Sequence, residues 1–419
     1  MSAIPSVNLL SYVSQHATII ENYLGKLATF GEQPEGGLIR PVYSPPWLAA
    51  QQQLADWMAE AGLTTRTDAI GNLWGRLEGR ESGRAIASGS HLDTVKGGGK
   101  YDGALGIIAA LCAIRFLKET FGQPRLPLEV VAFCEEEGSR FSNTFLGSRA
   151  IIGNLTAEEL TENLDVDGIS IFQAAQGCGF APDKLATAHR EDLGGFIELH
   201  IEQGSLLDHQ GLQIGAVRAI TGLQHARVIF SGRADHAGTT PMDLRADALV
   251  AAAEAILQIN HLARKLGHPA VATVGMLSVL PGARNIVPAT VEFTIDFRHS
   301  DNTIRASMAA QIRQICNEAG QKQGVGVEIE KHVDRSAAQM SPQLVELIQE
   351  SANQLEITNM VMVSGAGHDS QIMVEVVPTA MIFVPSRAGR SHSSAEFTPI
   401  EEIVPGVAVL AQALHTLAY

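Results

Sequence analysis

The chain has 419 residues, more than one hydrophobic core ordinarily organises, so two domains are expected. Hydrophobic residues make up 45% and charged residues 18%, with 40 glycines, which excludes a disordered or fibrous chain and suits an α/β enzyme. A net charge of −15 with no lysine or arginine cluster argues against nucleic acid and against an anionic membrane as partners, since both require a basic footprint; an anionic substrate must then be held by a few specific cations.

In chain order, the N-terminal stretch MSAIPSVNLLSYVSQH lacks a basic region followed by an apolar one, and no run of 18 apolar residues follows anywhere, so the expected compartment is the cytoplasm. WLAAQQQLADWMAEAGL (47–63) has helical apolar spacing. RAIASGS (84–90) reads as a buried strand that delivers His91, and ALGIIAALCAIRFLKETFG (104–122) as a helix that follows Asp102. LPLEVVAF (126–133) is a second buried strand, and Glu135, Glu136 and Glu137 come directly after it; FIELHI (196–201) is a third and carries His200. From 214 to 335 the order becomes strand, helix, strand, strand, helix, strand: the βαββαβ, ferredoxin-like unit. VVPTAMIFV (376–384) returns to a buried strand, His392 sits in the serine-rich loop SHSSAE, and PIEEIVPGVAVLAQALHTLAY (399–419) closes as a helix. The fold class is therefore α/β, a mixed sheet with helices on both faces, in a discontinuous catalytic domain (1–213 and 336–419) with a lid or dimerisation domain inserted at 214–335. Cys112, Cys134, Cys178 and Cys316 show no CxxC spacing and read as reduced cysteines, with no structural zinc site.

His91, the acidic triplet and His200 all fall at or just past strand ends, where ligands gather in open α/β sheets. Two imidazoles and a shared carboxylate suit zinc, and a carboxylate-rich set also admits manganese, cobalt or nickel. Other readings stay open residue by residue. Asp102 also suits an N-cap for the helix after it, the triplet a solvated turn, Asp93 a cap or turn residue, and His200 and His392 solvent-facing positions. What unites the five sites is the order His, Asp, Glu, His, His along one chain.

The segments GSHLDTV, GGKYDGALG, EEEGSRF, ELHIEQG, GRADHAGTTPM, RNIVPATVEFTIDFRH, SGAGHDSQ and SHSSAE resemble, in order, signatures of the co-catalytic zinc aminoacylase and carboxypeptidase superfamily. The resemblance is to its branch of allantoate amidohydrolases and N-carbamoyl-L-amino-acid hydrolases, and it spans nearly the whole chain. It implies two divalent ions per subunit, one on His91 and His200, the other on Glu137 and His392, with Asp102 bridging. It also implies Glu136 as general base, and Asp93 as the carboxylate that orients a ligand imidazole. Glu135 acquires no role. In the insert, the resemblance makes His236 an oxyanion donor from the partner subunit of a homodimer. Asn285 and Arg298 would hold the amide oxygen and carboxylate of the substrate, Arg298 by its two-pronged fork; a surface ion pair is the other reading of Arg298. Gln203 would contact the ureido group, and the Gly365–Gly367 turn, with Gly367, would offer backbone donors.

Enzymes of this branch cut a carbamoyl or ureido C–N bond near a carboxylate. The run YSPPWLAAQQQ is closer to allantoate amidohydrolases, which points to allantoate as substrate and to ureidoglycine, ammonia and carbon dioxide as products. N-carbamoyl-L-amino acids or β-ureidopropionate are the alternative. An aminoacylase or dipeptidase, or a non-catalytic metal-binding relative, is a third reading; the last would be expected to have lost Glu136 or a ligand.

Overall fold

The computed structural model describes residues 8–419, so the first seven residues of the N-terminal stretch lie outside the described residues. The chain forms two units, Met1–Arg218 with Met340–Tyr419, and Ala219–Gln339. The strands in order are β1 (Thr64–Thr67), β2 (Leu73–Leu77), β3 (Ala85–His91), β4 (Leu128–Phe133), β5 (Leu193–Ile201), β6 (Ile214–Ile220), β7 (Gly222–Ser231), β8 (Val271–Leu280), β9 (Thr290–His299), β10 (Gly326–Arg335), β11 (Ala338–Gln339), β12 (Asn359–Ser364) and β13 (Thr379–Val384).

The larger sheet runs β1-β2-β4-β3-β5-β13-β6-β11, with β12 also paired to β6. Its centre is parallel: β3 lies between β4 and β5, and β13 follows β5 in the same direction. Every residue of β3, β4 and β13 is buried, as expected for parallel strands covered on both faces. Successive side chains alternate between those faces. Ala85, Ala87, Val131 and Phe133 share a core cluster with Ile151, Ile152 and Met373 on one side. On the other side the helix Ala104–Phe121 packs closely, because a Cβ at Gly106 would meet the Leu199 carbonyl and the Ser90 side chain. That helix is largely apolar and mostly buried, as is the C-terminal helix Ile400–Ala418. The latter has the length and mean hydropathy (1.2) of a membrane span, but 61% of that window is packed inside the unit.

The second unit contains the four-stranded antiparallel sheet β10-β7-β9-β8, with the chain order β7, helix Ala248–Leu266, β8, β9, helix Asn302–Gln323, β10. β9 alternates strictly between buried and half-buried, burying Phe293, Ile295 and Phe297 with Ala252, Ile259, Met308 and Ile312 of the helices. Asp247 and Asp301 cap those helices through their carboxylates. The segment 214–232, read from the sequence as one strand, is two: β6 pairs antiparallel with β13 in the larger sheet, and β7 starts the smaller one after Thr221. Both halves are apolar, so the alternation gave no break. Cys112, Cys134 and Cys316 are buried and Cys178 is half-buried; all four are free thiols.

Candidate metal centre

Parallel pairing sets the C-terminal ends of β3, β4 and β5 along one edge. His91, the last residue of β3, sits opposite Phe133, the last of β4, after which the chain turns through Cys134 into Glu135, Glu136 and Glu137. His200 lies one residue from the end of β5. Both rings are buried, and each is fixed from behind: His91 Nδ1 lies 3.1 Å from the Asp93 carbonyl, and His200 Nδ1 2.9 Å from the Ile201 carbonyl. With Nδ1–H donating, the Nε2 lone pair of each ring faces inward.

Asp102 meets them there. Its Oδ1 lies 3.3 Å from His91 Nε2 and 3.2 Å from His200 Nε2, and its Oδ2 lies 3.4 Å from His392 Nε2. The N-cap position of the following helix is Gly103, with no side-chain capping bond, so the carboxylate of Asp102 serves the imidazoles rather than the helix. Gly103 has φ 65°, and a Cβ there would collide with the His91 ring and carbonyl; only glycine lets the backbone approach this closely. Glu137 Oε1 lies 3.4 Å from His392 Nε2. Two triads emerge whose donor atoms all fall within 4.8 Å of one another: His91, Asp102 and His200, and Asp102, Glu137 and His392. A further group, His91, Glu136 and Glu137, places Glu136 beside both.

The electrostatics of the cluster are those of a site short of positive charge. Burial raises the Glu136 carboxyl well above the ordinary range, with His91 opposing and Glu137, Asp369 and Asp93 adding to the rise. Burial also pushes Glu137 up to about 7. Asp102 is held well below the usual carboxylate range, because hydrogen bonds to His200, His392 and His91 outweigh its burial. Among the described residues, none of Asp93, Asp102, Glu135, Glu136 and Glu137 forms an ion pair with lysine or arginine. Buried carboxylates and imidazoles converging without a protein cation fit divalent metal ions.

Asp93, fully buried, places Oδ1 on the Glu136 N–H and Oδ2 on the Glu137 N–H, each at 3.1 Å, and lies 3.5 Å from His91 Nδ1. It therefore ties the β3 turn to the acidic triplet. Glu135 is buried too, its Oε1 accepting from the Arg140 N–H at 3.2 Å, so the triplet is no solvated turn. Gln203 has φ 58°, and its Nε2 donates to Asp102 Oδ2 at 2.8 Å, while its buried Oε1 has no partner. Gly367 packs near Phe145, and the Ala366 N–H in the same turn is taken by Ser364 Oγ at 3.1 Å.

The remaining expected residues belong to the second unit. His236 is exposed, and its Nδ1 accepts from the Gly238 N–H at 3.0 Å, which leaves the proton of the neutral ring on Nε2 as a donor. The Ala237 N–H bonds the Asn285 carbonyl at 2.9 Å, so His236 and Asn285 neighbour each other. Arg298, on β9, contacts Asp296 at 2.7 Å, and Asp296 also meets His225 at 3.1 Å.

Sequence reasoning missed four groups around the cluster, three of them buried. Ser391 Oγ bonds Asp102 Oδ2 at 2.7 Å and Glu396 Oε2 at 3.0 Å, and Glu396 Oε1 takes the N–H groups of Tyr101 and Asp102. Both stand in SHSSAE, where only the histidine carried a metal-ligand signal. Glu198, His200 and His368 also converge, but Glu198 is satisfied by Ser90 Oγ and by the N–H and hydroxyl of Ser370, so this group is a hydrogen-bonded layer under His200.

The model of peptidase family M20/M25/M40 matches residues 87–416. The chain is 42% identical over 405 residues to an allantoate amidohydrolase of Escherichia coli K12, covering 96% of this chain and 98% of that one. It is 41% identical over 401 residues to an N-carbamoyl-L-amino-acid amidohydrolase of Paenarthrobacter aurescens, covering 95% and 97%. Its fold superposes on an amidase of the hydantoinase/carbamoylase family from Burkholderia multivorans with a TM-score of 0.91 at 33% identity, covering 96% and 98%.

Proposed function

Because the chain belongs to peptidase family M20/M25/M40, in its branch of allantoate and N-carbamoyl-amino-acid amidohydrolases, we propose that it hydrolyses the ureido C–N bond of allantoate, giving ureidoglycine, ammonia and carbon dioxide. The observation that carries this reading is the pair of triads sharing the buried carboxylate of Asp102, with Glu136 beside them. His91, Asp102 and His200 would hold one divalent ion, and Asp102, Glu137 and His392 the other. Zinc or manganese is the proposed identity, and cobalt or nickel also suits these donors. Bound there, the pair of ions supplies Lewis acidity toward the scissile carbonyl and eases deprotonation of water.

The chain's own groups do the rest. Glu136, its backbone fixed by Asp93, accepts the proton of the attacking water and returns it to the leaving nitrogen. Asp93 orients His91 and the acidic turn together. Gln203 Oε1, buried and without a partner, is an acceptor for a ureido N–H. Gly367 lies in the turn proposed to offer backbone donors. Asn285 and Arg298 hold the amide oxygen and carboxylate of the substrate, Arg298 sharing its fork with Asp296. His236 donates Nε2–H to the developing oxyanion from a partner subunit, which makes a homodimer the catalytic unit.

The inserted domain, expected at 214–335 and compact over Ala219–Gln339, is read as a lid and dimerisation domain, and β8 supports the dimerisation part. It is an edge strand whose Val271, Met276, Leu277 and Leu280 are exposed, and Val250 and Leu257 are exposed on the helix Ala248–Leu266. An apolar unpaired edge of this kind is a surface that a second copy would cover. The proposed compartment is the cytoplasm, with no nucleic-acid or membrane partner.

Ammonia release tests the function, using zinc- or manganese-loaded protein with allantoate, N-carbamoyl-L-amino acids, β-ureidopropionate and N-acetyl amino acids side by side, and a chelator-treated control. Chelator-sensitive turnover with allantoate preferred is the expected result. Preference for a carbamoyl amino acid would move the assignment to the function named for the Paenarthrobacter relative, and silence on every ureido substrate would refute it.

A further inference from the structure

We propose that Arg40 is a positioning residue of the metal centre, holding the turn His91–Thr94 from below and, through Asp93, the backbone of Glu136 and Glu137. Arg40 is 1% exposed, among the most buried large side chains of the unit. Its Nε donates to the Leu92 carbonyl at 2.8 Å, and its Nη1 to the carbonyls of Leu27 at 2.8 Å and Phe30 at 3.3 Å. Its own N–H bonds Thr94 Oγ1 at 2.9 Å, and its carbonyl accepts from the Thr94 N–H at 3.2 Å.

The geometry distinguishes this from simple capping. A cation at the end of the helix Ala17–Ala28 would be satisfied by the Leu27 and Phe30 carbonyls alone. Here the guanidinium also reaches the Leu92 carbonyl through Nε, and the backbone of residue 40 adds two bonds to Thr94, so side chain and backbone together clasp the two residues flanking Asp93 and tie them to the helix end. Asp93 commits both carboxylate oxygens to the N–H groups of Glu136 and Glu137, so a shift of the turn must pull on those residues. A guanidinium fits because its nitrogens diverge in a fixed plane and serve carbonyls from two segments at once, which a lysine ammonium on its single stem cannot reproduce. Burial lowers the guanidinium to about 10, with the charge of Asp93 opposing, so it stays protonated at neutral pH.

The inference rests on the roles proposed above for Glu136 and Glu137, and its test does not depend on turnover alone. Arg40→Met and Arg40→Lys are compared with Ile20→Ala, which loosens the same helix without touching the turn. Zinc affinity is read by competition with a chromogenic chelator, together with kcat, KM and the thermal midpoint. Arg40→Met should lose about 10–100-fold in zinc affinity, as removal of an outer partner of metal ligands does. Its kcat should fall more than tenfold with KM within threefold. Arg40→Lys should fall between Arg40→Met and the parent, and decides the matter if the methionine variant does not fold; Ile20→Ala should keep both affinity and kcat. The proposal is overturned if the Arg40 variants bind zinc within twofold of the parent, or if Ile20→Ala loses as much as they do. Should the parent hydrolyse no ureido substrate, the functional reading fails while the zinc comparison still decides the role of Arg40.

Discussion

Glu136→Gln separates chemistry from assembly, because the structure shows what the substitution leaves in place. The Glu136 N–H stays on Asp93 Oδ1 at 3.1 Å and its carbonyl stays on the Phe145 N–H at 3.2 Å, and the amide matches the carboxylate in shape. Only the proton acceptor is lost. General base catalysis contributes typically about 10²–10⁴-fold, or about 2.7–5.4 kcal/mol at 1.36 kcal/mol per decade. The expected result is a kcat lower by about 10³ with KM nearly unchanged, read by ammonia release, while metal content per chain matches the parent. The variant also carries a signed pH effect in metal-free protein. Burial and like charges raise the folded pKa of Glu136 above its ordinary 4.5, so its ionisation weakens the fold as pH rises beyond that value. Metal-free Glu136→Gln should therefore melt higher than the metal-free parent at neutral pH, and the two should converge below about pH 4.5. A variant keeping more than a tenth of the parent kcat would refute the base assignment. A lower melting temperature at neutral pH would refute the electrostatic reasoning.

Two further outcomes probe the second unit. His236→Ala should lower kcat by about 10²–10³, the usual cost of one oxyanion donor, without changing metal content. If the histidine comes from the partner subunit, refolding a mixture of His236→Ala and Glu136→Gln chains should restore activity that neither homodimer has; no recovery would place the donor elsewhere. Leu277→Lys puts a charge on the exposed apolar edge strand and should convert a dimer to monomer in light scattering, whereas an unchanged mass would show that the edge is not the contact.

The sequence was most legible where chemistry and periodicity coincide. His91, the acidic triplet and His200 each end or follow a short, largely apolar run, and such runs become the parallel strands whose ends assemble the site. The βαββαβ order was readable because strict alternation in TVEFTIDFRH and long amphipathic helices leave little ambiguity. The short strands β1 and β11 were not, since four polar residues or a two-residue pair carry no periodic signal. Arg40, Glu198 and Glu396 escaped for a different reason. A buried ion is recognisable only by its partners, and these come from far along the chain: Leu92 for Arg40, Ser370 for Glu198, Asp102 for Glu396.

The two triads differ in how firmly the fold holds them, and that difference should appear in metal removal. His91 and His200 sit on buried strands, with Nδ1 of each ring already hydrogen-bonded, so their donor atoms are fixed before any ion arrives. Glu137 and His392 come from loops, and the His392 side chain is 50% exposed. His392 also has φ 52°, and Gln203 beside it 58°, a left-handed backbone that costs a non-glycine residue about 1–3 kcal/mol and persists only where the surroundings enforce it. The Asp102–Glu137–His392 group must therefore spend part of its binding free energy on holding a strained, half-exposed loop in place, while the strand-borne group spends almost none. A graded chelator titration should release one ion per chain well before the second, and activity should fall with the first. Loss of both ions in a single step would show that Asp102 couples the sites more strongly than the difference in rigidity separates them.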